Sequence, residues 1–546
     1  GLMDILSACV HLWETDRAAL TKQGQALLRR MEEPEARAKR EISREDIRAG
    51  FEQLRRRFDA KNGGFSAAPK FPTPHNLIFL TRFAALENEG AAREMAQLTL
   101  RQMYRGGIFD HIGGGFSRYS TDARWLVPHF EKMLYDNALL IWAYAEAFQA
   151  WGDALYKTVA ERTADYVLRE MTGEEGGFFS AQDADSEGRE GHFYVLRPGE
   201  IVSVLGEEDG KAFCQWFGVT ERGNFEGANI LNLLDNPSFA DTGAFRAHIP
   251  ALYNYRQSRA RLLTDDKRLT AWNALMIAAL AKAGHALERG DYLTAAERAM
   301  RFIETALTRP DGRLFVRWRE GEAAGDGFLD DYAFVCLALL NLYDATLKIE
   351  YLEKAIECAG TMCRLFEDTQ NGGFYLYAES GERLAVRPKE TYDGAMPSGN
   401  SAAGYVLARL AQLTGETLWM ERSTRQMRFL AGSVIDYPSA YCFALTAAML
   451  SLYPTCEVVI ATREPEIQND VLRRLARLYL PNTAVLLKTP ENAAALEYLA
   501  PFTAPYPVPD SGARIYLCRG GACKAPFDDL DELERRLAAI TPAARP

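Results

Sequence analysis

The sequence predicts a mainly α protein: an (α/α)6 six-hairpin barrel, or toroid, with a β-containing insertion and a small C-terminal α/β module. Three observations carry this. From Ser43 to about Tyr453 a helix, a glycine-aromatic loop and a second helix recur along the chain. Helices before each loop are amphipathic and those after it are apolar nearly all round, the signature of an outer layer wetted on one side and an inner layer buried within it. Beyond Tyr453 the pattern changes to short aliphatic strands alternating with helices.

Taken in order, residues 1–42 read as an amphipathic helix, GLMDILSACVHLW, and a charged linker around MEEPEARAKREIS. The barrel spans 43–454. Its first hairpin pairs 43–59 with His75 to Ala85 across Gly63-Gly64-Phe65, and its second pairs Ala91 to Tyr104 with the run from Met133 across Gly106 to Asp136. The third pairs 153–171 with the helix around Trp272 across Gly176-Gly177-Phe178, interrupted by a mixed insertion at about 186–263. The fourth joins 291–308 to Asp330 to Tyr343, the fifth joins 351–366 to 399–413 across Gly372-Gly373-Phe374, and the last joins 417–434 to 438–453. Residues 455–546 form the α/β module.

Composition narrows the function. A chain of 546 residues, 48% hydrophobic and 25% charged, has a large globular core. A net charge of −11 without a dense Lys/Arg tract argues against nucleic acid or an anionic membrane surface as partner. No run of about twenty apolar residues predicts a membrane span. Nine scattered cysteines without framework or zinc spacing fit a reducing, cytoplasmic setting, and no metal or cofactor is expected. Cys518 and Cys523 lie on a strand and the loop after it, where redox or metal roles are open. Gly113 to Gly115 follow no strand, so they do not make a dinucleotide fingerprint.

The alternation of helix types places the chemistry. Every rich loop runs from an outer helix to an inner one, so all of them open on one rim, where inner-helix N-termini also converge. Gly106 to Asp136 supplies His111, Arg118, Tyr119, Trp125, His129, Glu131 and Asp136. Other loops bring Gln182, Asp183 and Asp185; Trp272 and Asn273; Asp330 and Asp331; Lys389, Glu390 and Asp393; and Asn400. Aromatic faces, carboxylates and amides around a bowl suit a sugar. His111 and His129 suit general acid/base work near neutrality. Glu131, Asp183 and Asp185 join them as candidate catalytic groups, and the remaining rim residues are candidate substrate contacts. A helix cap accounts for one of Asp330 and Asp331.

These motifs, in this order, resemble the YyaL-like family, which includes the spermatogenesis-associated thioredoxin-domain proteins. The matching stretches are GGIFDHIGGGFSRYSTDARWLVPHFEKMLYDNALL, GGFFSAQDADSEGREGHFYV, DDKRLTAWNALMIAALA, FLDDYAF and RPKETYDGAMPSGNSAA, with YLCRGGACKAP near the end. The resemblance implies a barrel similar to six-hairpin glycosidases and N-acylglucosamine 2-epimerases, preceded by a thioredoxin-like domain. Residues 1–35 are expected to hold no more than a helical remnant of that domain, so no redox activity is carried over from the resemblance.

The leading expectation is an epimerase- or isomerase-like protein acting on a small-molecule sugar, with His111 and His129 removing and returning a proton. A glycoside hydrolase using paired carboxylates is the enzyme alternative. A non-catalytic carbohydrate- or protein-binding barrel is the third.

Overall fold

The computed structural model describes residues 1–32, 40–381, 385–519 and 522–540. Most of the expected linker, 33–39, lies outside these. The chain opens with α1 (Leu2–Thr15) and α2 (Arg17–Glu32); no residue of α1 is buried. Hairpins follow as α3 (Arg44–Arg57) with α4 (Pro74–Glu87), and α5 (Gly90–Arg105) with α6 (Leu134–Trp151). Next is α7 (Ala154–Glu170), separated from its partner by the insertion helices α8 (Pro198–Leu205), α9 (Glu207–Trp216) and α10 (Ile249–Arg259). That partner is α11 (Thr270–Ala286). The barrel continues with α12 (Gly290–Ala306) and α13 (Leu329–Thr346), then α14 (Ile349–Phe366) and α15 (Gly399–Thr414), then α16 (Thr417–Val434) and α17 (Cys442–Leu452).

The inner helices touch in a closed ring, α4, α6, α11, α13, α15, α17 and back to α4. Each outer helix packs on the inner helix before it, and α3 packs on α17, so the first helix of the barrel covers the last. This ring is the (α/α)6 barrel, and the residue pattern explains it. Every residue of α6 except Phe148 is buried, whereas α5 buries a stripe that includes Ala92, Met95, Ala96, Thr99, Leu100 and Met103. No described helix is long and apolar enough to cross a membrane.

Three rim loops are built alike. Asp59, Asp110 and Asp368 each stand four residues before a Gly-Gly-Phe, and in each loop both glycines have φ between +70° and +80°. That conformation suits glycine and would strain any other residue. A lysine locks each turn. Lys70 Nζ donates to Asp59 and Gly63 O, each at 2.6 Å; Lys132 Nζ to Asp110 at 2.9 Å and Gly114 O at 2.8 Å; Lys389 Nζ to Asp368 at 2.8 Å and Gly372 O at 2.7 Å. In the third hairpin Thr172 occupies the aspartate position. An asparagine from the first turn of the next inner helix completes the device. Asn137, Asn273 and Asn400 accept the backbone N–H of Phe116, Phe178 and Phe374 at 2.8, 2.6 and 2.8 Å, and donate to the same residues' carbonyls at 3.1, 3.0 and 2.9 Å. The loops at Phe116, Phe178 and Phe374 are thereby fixed to the mouths of inner helices.

The insertion has less β structure than its sequence suggests. It has a two-residue ladder, Asp185–Ser186 with Arg189–Glu190, and isolated bridges. HFYVL forms a turn that buries Phe193 and Tyr194 with Phe130 and Ile230 in a small core of its own. Arg256 of α10 ties this unit to the barrel by bonding both oxygens of Asp110, at 2.9 and 2.8 Å.

The C-terminal module adds α18 (Pro465–Ala476), α19 (Ala493–Leu499) and α20 (Leu530–Ala538) to a four-stranded sheet. Strand Cys456–Thr462 is parallel to Thr483–Lys488 and antiparallel to Ala513–Arg519, which pairs in turn with Ala522–Cys523. Cys518 and Cys523 face each other on this last ladder and are joined by a disulfide, a pairing that their odd-numbered, scattered setting did not signal. The module closes the barrel end opposite the rim. Tyr479 donates to Glu146 at 3.1 Å, Arg409 to Thr483 O at 2.8 Å, and Tyr343 to Val485 O at 3.1 Å.

Candidate functional site

Short β pairings stitch the rim together. Lys132–Met133 pairs with Ala181–Gln182, which pairs with Thr264–Asp265. Tyr119–Ser120 pairs with Pro128–His129, and this register lays the His129 ring on Tyr119 with centroids 5.1 Å apart. Phe71 covers Tyr119 in turn, at 4.9 Å. The His129 side chain is 28% exposed and lies between two carboxylates: its Nδ1 is 2.7 Å from Glu190 and its Nε2 is 3.6 Å from Glu131. Arg118 Nη1 donates to Glu131 at 3.3 Å. The result is a line of polar groups, Arg118, Glu131, His129 and Glu190, drawn from the second hairpin and the insertion. An imidazole reached by solvent and flanked by carboxylates can accept and release a proton.

Asp136 stands behind this line in the first turn of α6. It is buried, and among the described residues its Oδ2 has no hydrogen-bond partner. Burial, with the charge of Glu131 adding to it and Arg118 opposing, holds its carboxyl well above the usual carboxylate range. A neutral carboxylic acid thus adjoins an acidic chain. Tyr135 meets the half-buried Trp272 edge to face at 4.8 Å, extending the aromatic wall towards α11.

A second acidic pair opens α13. Asp331 is the cap: it accepts the N–H of Phe328 at 2.7 Å and of Ala271 at 2.9 Å, while burial and the neighbouring Asp330 push its pKa up to about 8. Asp330 takes the backbone N–H of Gly399 and is the less buried of the two. Burial and the exposed Glu390 raise its pKa to about 6. The structure thus gives Asp331, expected among the substrate contacts, a capping role at the start of α13. Helix phase is the missing signal, since the capping-box position falls on the third helical residue after Phe328.

Several other expected site residues are committed to structure. His111 is 1% exposed and caged by Tyr104, Phe109 and Phe217; burial, with Arg162 nearby, pushes its pKa down to about 3. The structure does not bring it to the mouth with His129. Trp125 is fully buried and donates its Nε1–H to Asn62 O at 2.9 Å. Asn273 and Asn400 are fully buried loop clamps, Lys389 is a lock lysine, and Asp393 gives its oxygens to the amides of Ser398, Phe443 and Ala444. Gln182 is buried and accepts from Tyr166 at 2.7 Å. Asp183 and Asp185 are exposed, with Asp183 Oδ1 accepting the Asp185 N–H in a tight turn at 3.1 Å. What the rim brings together is Arg118, Tyr119, His129, Glu131, Asp136 and Trp272. Glu190 joins them, though sequence reasoning did not single it out; Asp330, which the sequence placed on the rim, lies at the start of α13 beside Gly399 and Glu390. Among the described residues no three His, Cys, Asp or Glu groups converge as metal ligands.

The clamp role of Asn400 is testable. Asn400→Ala strands the buried N–H and C=O of Phe374, so urea denaturation should show a loss of about 1–3 kcal/mol. Unchanged stability together with lost ligand binding would return Asn400 to the substrate.

No family model matches the chain. Solved structures that resemble it include D-mannose isomerase, with 13% identity and a TM-score of 0.47 over 71% of this chain and 85% of that one. Cellobiose 2-epimerase from Spirochaeta thermophila is another, with 16% identity and a TM-score of 0.47 over 72% of this chain and 84% of that one. Likeness at this level leaves the fold to rest on its own helix packing. Among sequences, an uncharacterized protein of Caenorhabditis elegans is 29% identical over 98% of this chain and 79% of its own length. The spermatogenesis-associated protein 20 of Homo sapiens is 33% identical over 541 residues, covering 89% of this chain and 68% of the human protein. That of Rattus norvegicus is 32% identical over the same shares. The chain belongs to the spermatogenesis-associated protein 20 family.

Proposed function

We propose that the rim binds a sugar and moves a proton on it, in the manner of an epimerase or isomerase. The observation that carries this reading is His129, held between Glu190 and Glu131 and open to solvent beside the aromatic faces of Tyr119 and Phe71. An apolar ring face can stack on the C–H side of a sugar while carboxylates take its hydroxyl hydrogens. His129 then removes the proton next to the open-chain carbonyl, with Glu190 fixing the ring. A neutral acid, Asp136, supplies a proton to the developing enediol oxygen. Arg118 donates to Glu131 beside it and holds that carboxylate in place.

The test is exchange of the carbon-bound hydrogen next to the anomeric centre in deuterated water, over a panel of mono- and disaccharides. Exchange by the parent protein and its loss in His129→Ala support the reading. Sugar binding with no exchange on any member of the panel sinks it and leaves a binding module.

A second reading, glycoside hydrolysis, draws on Asp330 and Glu390. A carboxyl raised to about 6 beside an exposed carboxylate is the asymmetric pairing that an acid and a base or nucleophile require. Release of reducing ends from a disaccharide panel, abolished in Asp330→Asn, would favour it.

A further inference from the structure

The disulfide between Cys518 and Cys523 does little to hold the C-terminal module together. It joins neighbouring strands whose backbones already pair Cys518 with Cys523 and Arg519 with Ala522, and its two ends have a sequence separation of 5. Closing so short a loop removes little entropy from the unfolded chain, so the bond stabilises at the low end for disulfides. The buried cysteines Cys214, Cys336, Cys363, Cys442 and Cys456 are free. The bond therefore lies where solvent reaches it and not in the core.

Its two sulfurs differ. Cys518 is on the inner strand Ala513–Arg519 and is 8% exposed, whereas Cys523 is exposed on the edge strand of the sheet. A thiolate arriving from solvent meets the Cys523 sulfur first. Tyr506 stands beside both. Its hydroxyl is 3.3 Å from Cys523 Sγ and 3.9 Å from Cys518 Sγ. The Tyr506 ring is stacked on Tyr516 with centroids 4.1 Å apart, and Lys488 Nζ donates to its carbonyl at 2.8 Å. Neither sulfur of a disulfide carries a hydrogen, so the phenol is the donor, and it reaches whichever sulfur becomes negative.

We propose that this pair is a thiol–disulfide exchange site that takes two electrons from a dithiol, such as a protein bearing two neighbouring cysteines. The first thiolate of the donor bonds to Cys523 Sγ. The S–S bond breaks and its electron pair leaves on Cys518 Sγ, which takes the Tyr506 hydrogen bond. The donor's second thiolate then attacks the donor sulfur of this mixed disulfide, the two donor sulfurs join, and Cys523 leaves as a thiolate beside the same phenol. The two protons given up by the donor thiols pass through solvent to Cys518 and Cys523. The donor is oxidised to a disulfide and the module is reduced to a dithiol. A monothiol does not suffice, because Cys518 stays next to the mixed disulfide and expels a single thiol by attacking Cys523 again. Only a second thiol tethered on the donor competes at a comparable effective concentration. The site is separate from the rim and does not depend on what the rim does.

The test treats the oxidised full chain with dithiothreitol in the absence of denaturant, traps thiols with iodoacetamide and locates them by peptide mass spectrometry. Cys518 and Cys523 should be reduced together while the barrel stays folded by circular dichroism. 2-Mercaptoethanol at equal thiol concentration should leave most of the pair oxidised. Tyr506→Phe should slow the reduction by about tenfold, the weight of one hydrogen bond to a charged group, and should make no difference once both chains are unfolded in urea. Two single-cysteine variants keep the question answerable if Tyr506→Phe does not fold. With oxidised glutathione, Cys518→Ser should form a mixed disulfide at Cys523, and Cys523→Ser should form one at Cys518 far more slowly. The proposal is overturned if reduction requires urea, if the monothiol reduces the pair equally, if Tyr506→Phe folds and reacts at the parent rate, or if Cys518 is captured as fast as Cys523.

Discussion

Asp110→Ala is expected to cost about 3–5 kcal/mol of stability, the range for leaving buried charges without their partner. Asp110 takes Lys132 Nζ on one side and both terminal nitrogens of Arg256 on the other, and those cationic side chains are 2% and 1% exposed. Lys132 would keep the Gly114 carbonyl, and Arg256 would lose its carboxylate altogether. The change also unclamps α10 from the barrel, so the insertion should become susceptible to protease before the ring does. Burial alone would raise the Asp110 pKa, but Arg256 and Lys132 hold it well below 3.8. Its contribution is therefore complete above the unfolded value and is lost as pH falls towards the folded one. The gap between parent and Asp110→Asn, read by urea denaturation, should be full at neutral pH and shrink in strong acid. A gap below about 1 kcal/mol at neutral pH would mean that water already screens the triad.

The second large effect is on rate. Under the proton-transfer reading, His129→Ala should slow exchange by about 10²–10⁴-fold, the usual contribution of a positioned general base. His111→Phe should leave the rate unchanged, because an imidazole sealed among Tyr104, Phe109 and Phe217 exchanges no proton with the rim. A comparable loss in both variants would show that the histidines act only through folding. The hydrolytic reading has its own pH signature. Asp330 serves as an acid only while protonated, so activity should decline as pH rises through about 6, and Asp330→Asn should remove the activity.

Much of the barrel was legible because inner and outer helices differ in composition. ALMIAALAKAG and AFVCLALLNLY have no polar face to turn to water, and the inner position follows. Direction at the rim was not legible. Spacing locates Asn273, Asn400 and Lys389 in rich loops but does not say whether an amide turns outward to a ligand or back onto a Phe backbone two strands of chain away. A signal was nonetheless present: aspartate, three residues, Gly-Gly-Phe, then a lysine, three times over, is a turn motif repeated. A group repeated for structure is a weak candidate for substrate. His111 falls inside one such copy, between Asp110 and Gly114, whereas His129 lies outside it. The insertion defied the reading for another reason. Its aromatic run packs on Phe130 rather than pairing with a strand, and that partner lies far upstream, before the third hairpin begins.

The closed ring also sets the order in which the molecule can assemble. Contacts between neighbouring hairpins are near in sequence and cheap in chain entropy, but α17 must find α4, and α3 must cover α17, across most of the chain. Arg57 reaches Tyr437, and Glu87 reaches Tyr453, over separations of 380 and 366 residues. A nascent chain therefore carries an open arc whose two ends are bare apolar helix faces. These are closed only when the sixth hairpin leaves the ribosome, and until then the growing barrel is a surface for chaperones.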